Sequence, residues 1–183
     1  MQGAAAATSP RFTGAEGPRI VGPGDGEYAD LGKMGARFMA SAGETGGGFS
    51  LVEHPIAPRA LCAPLHRHAN EDEYSFVLEG RMGAQLGDDV VEAGVGDFVF
   101  KPRGQWHTFW NAGEEPCRIL EIISPGGFEA YFAELPGVIG AAASQGEQAI
   151  GAAVAELAAR YGLEFDFESV GRLCEEHGLV PPG

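Results

Sequence analysis

Residues 64–80 read PLHRHANEDEYSFVLEG, and this stretch decides the fold class of the chain. His66 and His68 are two residues apart, so they project from the same face of an extended strand. Glu73 begins the next apolar run, and His107 opens a later run that a folded-back sheet brings beside the first. An HxH pair alone is at least as typical of a structural or surface pair as of a metal site. Three imidazoles and one carboxylate that converge are typical of a transition-metal site.

Short apolar runs surround this stretch between residues 37 and 124. They read FSLVEH, EYSFVLE, DFVFK, HTFWN and CRILEII, and Gly, Pro, Asn or Asp closes each of them. Runs of this length and spacing predict an antiparallel barrel or sandwich. The run 73–79 carries apolar groups on both faces, because Tyr74, Phe76 and Leu78 alternate with Ser75 and Val77. A second sheet would cover one face and a second subunit the other.

Helical periodicity replaces this pattern after Pro125. Three helices are predicted: one over 128–135 ended by Pro136, one over 145–161 begun by a Ser144–Glu147 capping box, and one over 167–177 begun by Asp166 and ended by Gly178. Their apolar stripes indicate packing elements. We therefore divide the chain into a flexible arm (1–30), a β-barrel (31–124) and a helical extension packed on the barrel (125–183).

Residues 60–111 resemble the cupin superfamily, whose two motifs read G-x5-H-x-H-x3,4-E-x6-G and G-x5-P-x-G-x2-H-x3-N. The first motif is matched by His66, His68, Glu73 and Gly80, with Ala60 in place of the leading glycine. The second is matched without a gap by Gly96, Pro102, Gly104, His107 and Asn111. The resemblance is to single-domain, quercetin-dioxygenase-like cupins. It implies an all-β core, the double-stranded β-helix or antiparallel jelly-roll barrel, with C-terminal α-helices outside it.

The resemblance also implies a metal site. His66, His68, Glu73 and His107 would ligate one divalent transition metal ion per chain, with Fe, Mn, Ni, Co, Cu and Zn all open. Glu73 would in addition be the catalytic base. The implied function is a dioxygenase-type oxidoreductase acting on a small oxygen-bearing metabolite. The alternatives are a non-redox metal cupin (isomerase, epimerase or lyase), a non-catalytic cupin that binds a small molecule, and a cupin that uses no metal.

Two further residues are candidates for the substrate pocket. Phe109 shares a strand face with His107 and would either supply an apolar wall or fill the core. Glu121 interrupts the apolar run 119–123, so it lies at a wet strand end or points at a ligand or at a partner of the metal site. His54 and His177 lie outside both motifs, and structural roles are expected for them.

Net charge and cysteine content limit the partners and the cellular compartment that we expect for the protein. Asp and Glu number 26 against 12 Lys and Arg, for a net charge of −14, which disfavours nucleic acid and anionic membranes as partners. The 3 cysteines are widely spaced without a CxxC pair, as suits a reducing cytoplasm. We therefore expect a cytoplasmic protein with a small-molecule ligand and, because the run 73–79 needs cover, a homodimer.

Overall fold

The computed structural model describes residues 18–182. Eleven strands are found in this range: β1 Tyr28–Asp30, β2 Gly35–Ala40, β3 Ser50–Ile56, β4 Leu65–His68, β5 Asp72–Glu79, β6 Arg81–Leu86, β7 Asp89–Gly94, β8 Phe98–Lys101, β9 His107–Asn111, β10 Cys117–Ser124 and β11 Leu163–Asp166. The helices are α1 Glu129–Ala142, α2 Glu147–Arg160 and α3 Ser169–His177, with a short 3-10 turn at Ala143–Gln145. No helix within 18–182 is long and apolar enough to cross a membrane.

The strands form two antiparallel sheets. One has six strands in the order β1-β2-β3-β10-β5-β8, and the other has five in the order β11-β4-β9-β6-β7. Each sheet joins strands that are far apart in sequence, such as β3 with β10 and β4 with β9, as in a jelly roll. This confirms the predicted all-β jelly-roll core with C-terminal helices.

The alternation of side chains along the strands places the core between the two sheets. In β10 every second residue is buried, beginning with Cys117. All five residues of β9 are buried, because α3 covers the face of that strand that points away from the barrel. There Trp110 packs against Leu61, Leu173 and Leu179. The strand that carries His107 is therefore covered on both faces.

The region after residue 124 contains a strand that the sequence analysis did not predict. β11 lies between α2 and α3 and pairs with β4, so that Phe165 is opposite His66. The extension thus adds a strand to the barrel as well as helices. At the other end of the chain, β1 lies within the segment 1–30 expected to be an arm, and residues 1–17 of that arm lie outside the described residues.

The predicted helix limits are partly wrong. α1 continues through Pro136, because Leu135 and Val138 both pack on the cluster around Phe128 and this burial outweighs the missing N–H. The Ser144–Glu147 capping box does not form, since the 3-10 turn occupies 143–145 and Gly146 is the N-cap of α2.

The third helix also starts later than predicted. Its N-cap is Glu168 and not Asp166, whose side chain instead accepts a hydrogen bond from the backbone N–H of Glu168 at 3.1 Å. The predicted end is confirmed, because Gly178 adopts a left-handed conformation at the C-cap.

Candidate metal centre

Four predicted ligands meet between the two sheets. β4 carries His66 and His68, β5 carries Glu73 and β9 carries His107. His66 and His107 are direct neighbours across the β4–β9 pair. One ligand atom from each of the four residues lies within 4.8 Å of the others, and all four side chains are buried.

A turn fixes the position of the strand that carries His107. Gly104 adopts a φ of +78°, which favours glycine, and its N–H donates to the carbonyl of His68 at 2.7 Å. The turn is therefore tied to the end of β4. This contact joins the two sequence motifs in space.

Backbone carbonyls orient two of the imidazoles. Nδ1 of His66 donates to the carbonyl of Pro64 at 2.8 Å, and Nδ1 of His107 donates to the carbonyl of Gln105 at 3.0 Å. Because a carbonyl only accepts, each proton lies on Nδ1 and the lone pair of Nε2 is free for a metal. Burial lowers the pKa of His66 well below its usual value and also lowers the pKa of His107. Both rings are thus neutral, as metal ligands must be.

The polar contacts inside the site fit a cation. Nε2 of His107 lies 3.2 Å from Oε2 of Glu73, so a lone pair faces a carboxylate. Nε2 of His68 lies 3.4 Å from Oε1 of the same carboxylate, and neither ring nitrogen of His68 has a hydrogen-bond partner among the described residues. Acceptors buried face to face are costly without a positive charge nearby. Three imidazoles and one carboxylate are a donor set for a divalent transition metal.

A buried ion-pair network adjoins the four ligands. Nζ of Lys101 lies 2.9 Å from Oε2 of Glu73 and 2.9 Å from Oε1 of Glu121. Burial opposes ionisation of Glu73, but Lys101 and then the histidines hold its pKa well below the usual value. Glu73 is therefore a carboxylate at neutral pH.

Glu121 is not at a wet strand end. It is 1% exposed, and its Oε2 accepts a hydrogen bond from the Ser75 hydroxyl at 2.7 Å. Burial raises its pKa to about 7, although Lys101 opposes this shift. Glu121 lies beside Lys101, which in turn contacts the candidate ligand Glu73. Of the positions left open by the sequence, this one is next to a partner of the metal site.

Lys101 was not among the site residues predicted from the sequence. A signal was present in DFVFK, where strand alternation puts Lys101 on the same face as the buried Val99, while Phe98 and Phe100 point outward. A lysine on the inner face of a strand needs a buried partner. The partner could not be named from the sequence, because it depends on the register between β5 and β8.

A cavity of about 340 Å³ opens beside the four ligands. His66, His68 and Glu73 line it, and so does Phe109. Aromatic and aliphatic side chains of the C-terminal extension form most of the rest, among them Phe128, Tyr131, Phe132, Leu135, Ile150 and Val154. Among the described residues no Lys or Arg lines this cavity. Phe109 is 7% exposed and belongs to the core cluster of the barrel as well.

Comparisons with known proteins agree with this geometry. Residues 53–123 match the family model described as "Cupin domain". The chain is 30% identical over 86 residues to the tetracenomycin polyketide synthase protein TcmJ of Streptomyces glaucescens, covering 47% of this chain and 56% of that protein. It is 26% identical over 120 residues to quercetin 2,3-dioxygenase of Bacillus subtilis strain 168, covering 64% of this chain and 34% of that protein. The chain thus spans less than two thirds of either relative.

A solved structure shares the fold. KdgF from Halomonas sp. superimposes with a TM-score of 0.50 at 18% sequence identity, covering 57% of this chain and 90% of that one. At this identity the likeness concerns the arrangement of the strands alone.

Proposed function

We propose that this chain, which belongs to the cupin superfamily, binds one divalent transition metal ion through His66, His68, Glu73 and His107 and acts as an oxygenase on a flat, mostly apolar compound with enol or phenol oxygens. The choice of substrate rests on the cavity, whose walls are mostly aromatic and aliphatic and which is lined by three of the candidate ligands, His66, His68 and Glu73. A ligand that fits it has its oxygens at the four candidate ligands and its rings against the helices.

The metal ion, when bound, supplies Lewis-acid and redox chemistry with coordination positions that four protein ligands leave open. Glu73 is ionised and lines the cavity, so its carboxylate is placed to accept the hydroxyl proton of a bound enol or phenol. Phe109 and Phe132 offer faces for ring contact and exclude water from the reacting oxygens.

The charges of the cavity argue against phosphorylated and dicarboxylate substrates. Such a ligand needs a cation for its second anionic group. The charged side chains that line the cavity are Glu73 and Glu147, and both would repel it. The names of the two relatives, a dioxygenase of quercetin and a polyketide synthase protein, are in keeping with an oxygen-bearing organic substrate.

Oxygen uptake tests this proposal. Protein loaded with each candidate metal in turn is mixed with a flavonol, a catechol and a 1,3-dicarbonyl compound, and oxygen consumption and product are measured in air and under strict anaerobiosis. We expect consumption with at least one compound, abolished without oxygen and in the His107→Ala variant. Product formed without oxygen would instead indicate isomerase or lyase chemistry. Saturable binding without product would indicate a binding protein, and either result would overturn the oxygenase assignment.

A further inference from the structure

Lys101 is a fully buried charged residue for which the proposed function has no role. Its exposure is 0%, and its Nζ lies 4.6 Å from the centre of the Phe109 ring. A buried ion pair adds little net stability compared with apolar side chains of the same volume. The position of this ammonium is therefore better explained by its effect on the neighbouring carboxylates of Glu73 and Glu121 than by a contribution to stability.

A chain of polar contacts runs from Ser75 through Glu121 and Lys101 to Oε2 of Glu73. The Ser75 hydroxyl donates to Oε2 of Glu121, and Oε1 of Glu121 lies 2.9 Å from the ammonium of Lys101. The ammonium in turn lies 2.9 Å from Oε2 of Glu73. Strand register fixes this order, because Glu121 is opposite Ser75 and Glu73 is opposite Lys101. The ammonium thus lies between the two carboxylates, in contact with Oε1 of Glu121 and Oε2 of Glu73.

We infer that Lys101 is a positioning residue of the metal centre, which occupies Oε2 of Glu73 and so leaves Oε1 as the single oxygen that this carboxylate offers to the metal. A carboxylate without such a partner is free to bind a metal through both oxygens. Binding through one oxygen keeps a further coordination position open for substrate. This inference rests on the metal-binding part of the proposed function.

The test uses Co(II) as the probe, because the intensity of its visible absorption depends on how many ligand atoms surround it. The main variant is Lys101→Met/Glu121→Gln, which removes the ammonium together with the charge of its second partner, so that Glu73 is the one carboxylate of the network left for the metal to pair. Lys101→Met alone is the second variant. Glu121→Gln and Ser75→Ala are matched controls, since both alter the network and keep Lys101 on Glu73. Circular dichroism checks that each metal-free protein is folded.

We expect both Lys101 variants, saturated with Co(II), to lose about half or more of the visible absorption per bound ion, because a second carboxylate oxygen raises the coordination number. The two controls should retain the spectrum of the unmodified protein. An unchanged spectrum in both Lys101 variants would overturn the inference, and so would failure of both to fold, which would make Lys101 purely structural. Absence of Co(II) binding by the unmodified protein would contradict the proposed metal site itself.

Discussion

At the scale of single residues, His54 is a buried group whose protonation opposes folding. It lies inside the barrel, where Nδ1 donates to the carbonyl of Gly35 at 2.8 Å and the ring is 5.1 Å from that of Phe132. Burial lowers its pKa from 6.5 to about 4. His54 of the unfolded chain therefore binds a proton below about pH 6.5, whereas His54 of the folded chain stays neutral down to about pH 4.

We predict that His54 removes about 3 kcal/mol from the free energy of unfolding of the metal-free protein as the pH drops from 6.5 to about 4. Glu121 acts in the opposite direction over much of this range, because its raised pKa of about 7 makes the folded state bind a proton first. Urea denaturation in the presence of a chelator measures this. The pKa values of His66 and His107 are also lowered by burial, so they add to the loss in the same direction. The control is His54→Gln, which should show a smaller loss over this range. An equal loss in both proteins would contradict the assignment to His54.

Phe109 lines the cavity and packs in the core, so its replacement should have two effects. We predict that Phe109→Ala raises the Kd of the compound that binds best in the oxygen-uptake panel by about ten-fold, the loss expected from removing a buried ring. Metal content should stay unchanged, and stability should fall by about 3 kcal/mol or more. Phe76→Ala, an exposed ring outside the cavity, is the control. Unchanged affinity in the folded variant would mean that Phe109 only fills the core.

The sequence predicted the four candidate ligands but not the ion-pair network of Lys101 and Glu121 that adjoins them. His66 and His68 could be placed on one face because a strand has a period of two, and the second motif supplied His107. Lys101 meets Glu73 only through the pairing of β5 with β8. Such long-range register is not encoded in the spacing of residues along one strand.

At the scale of elements, α1 contains a proline in its interior. Pro136 cannot donate to the carbonyl of Phe132 one turn earlier, and proline costs about 3 kcal/mol relative to alanine inside a helix. We predict that Pro136→Ala stabilises the protein by about 1 kcal/mol or more, measured by urea denaturation. Pro136→Gly restores the same N–H but adds backbone freedom, so it should gain less. A lower stability of Pro136→Ala would mean that α1 depends on the shape imposed by the proline.

The short strand β11 shows where prediction by pattern fails. Its sequence, LEFD, is four residues long and lies between two helices. A run of that length has no periodicity to detect. It becomes a strand because β4 offers a free edge, on which Phe165 pairs with His66. The strand therefore depends on a long-range contact.

At the scale of the whole molecule, the outer face of the six-stranded sheet carries an exposed aromatic surface at its edge strand β8. Phe76, Phe98 and Phe100 are 39%, 57% and 46% exposed, and Tyr74 stacks on the last two. The three phenylalanines alone expose roughly 300 Å² of ring surface. Contiguous apolar patches of this kind mark interaction sites. This is the face that the sequence analysis expected a second subunit to cover.

We predict a homodimer that forms through this face, with a mass twice the 19.1 kDa of one chain by light scattering at micromolar concentration. The double variant Phe98→Ser/Phe100→Ser should be a monomer with unchanged metal content. Val90→Ser, at a residue that is 53% exposed on the other sheet, should leave the dimer intact. A monomeric unmodified protein would refute the prediction.

Elemental analysis of protein purified without chelators shows whether His66, His68, Glu73 and His107 hold one metal ion. We predict about one divalent transition metal ion per chain in the unmodified protein and in the control His177→Ala, which lies outside the site at the end of α3. His66→Ala and His107→Ala should lose the ion, and the Tm of the unmodified protein should fall when the metal is removed. Equally low metal content in the unmodified protein and in these two variants, even after metal supplementation, would show that these four residues do not form a metal site.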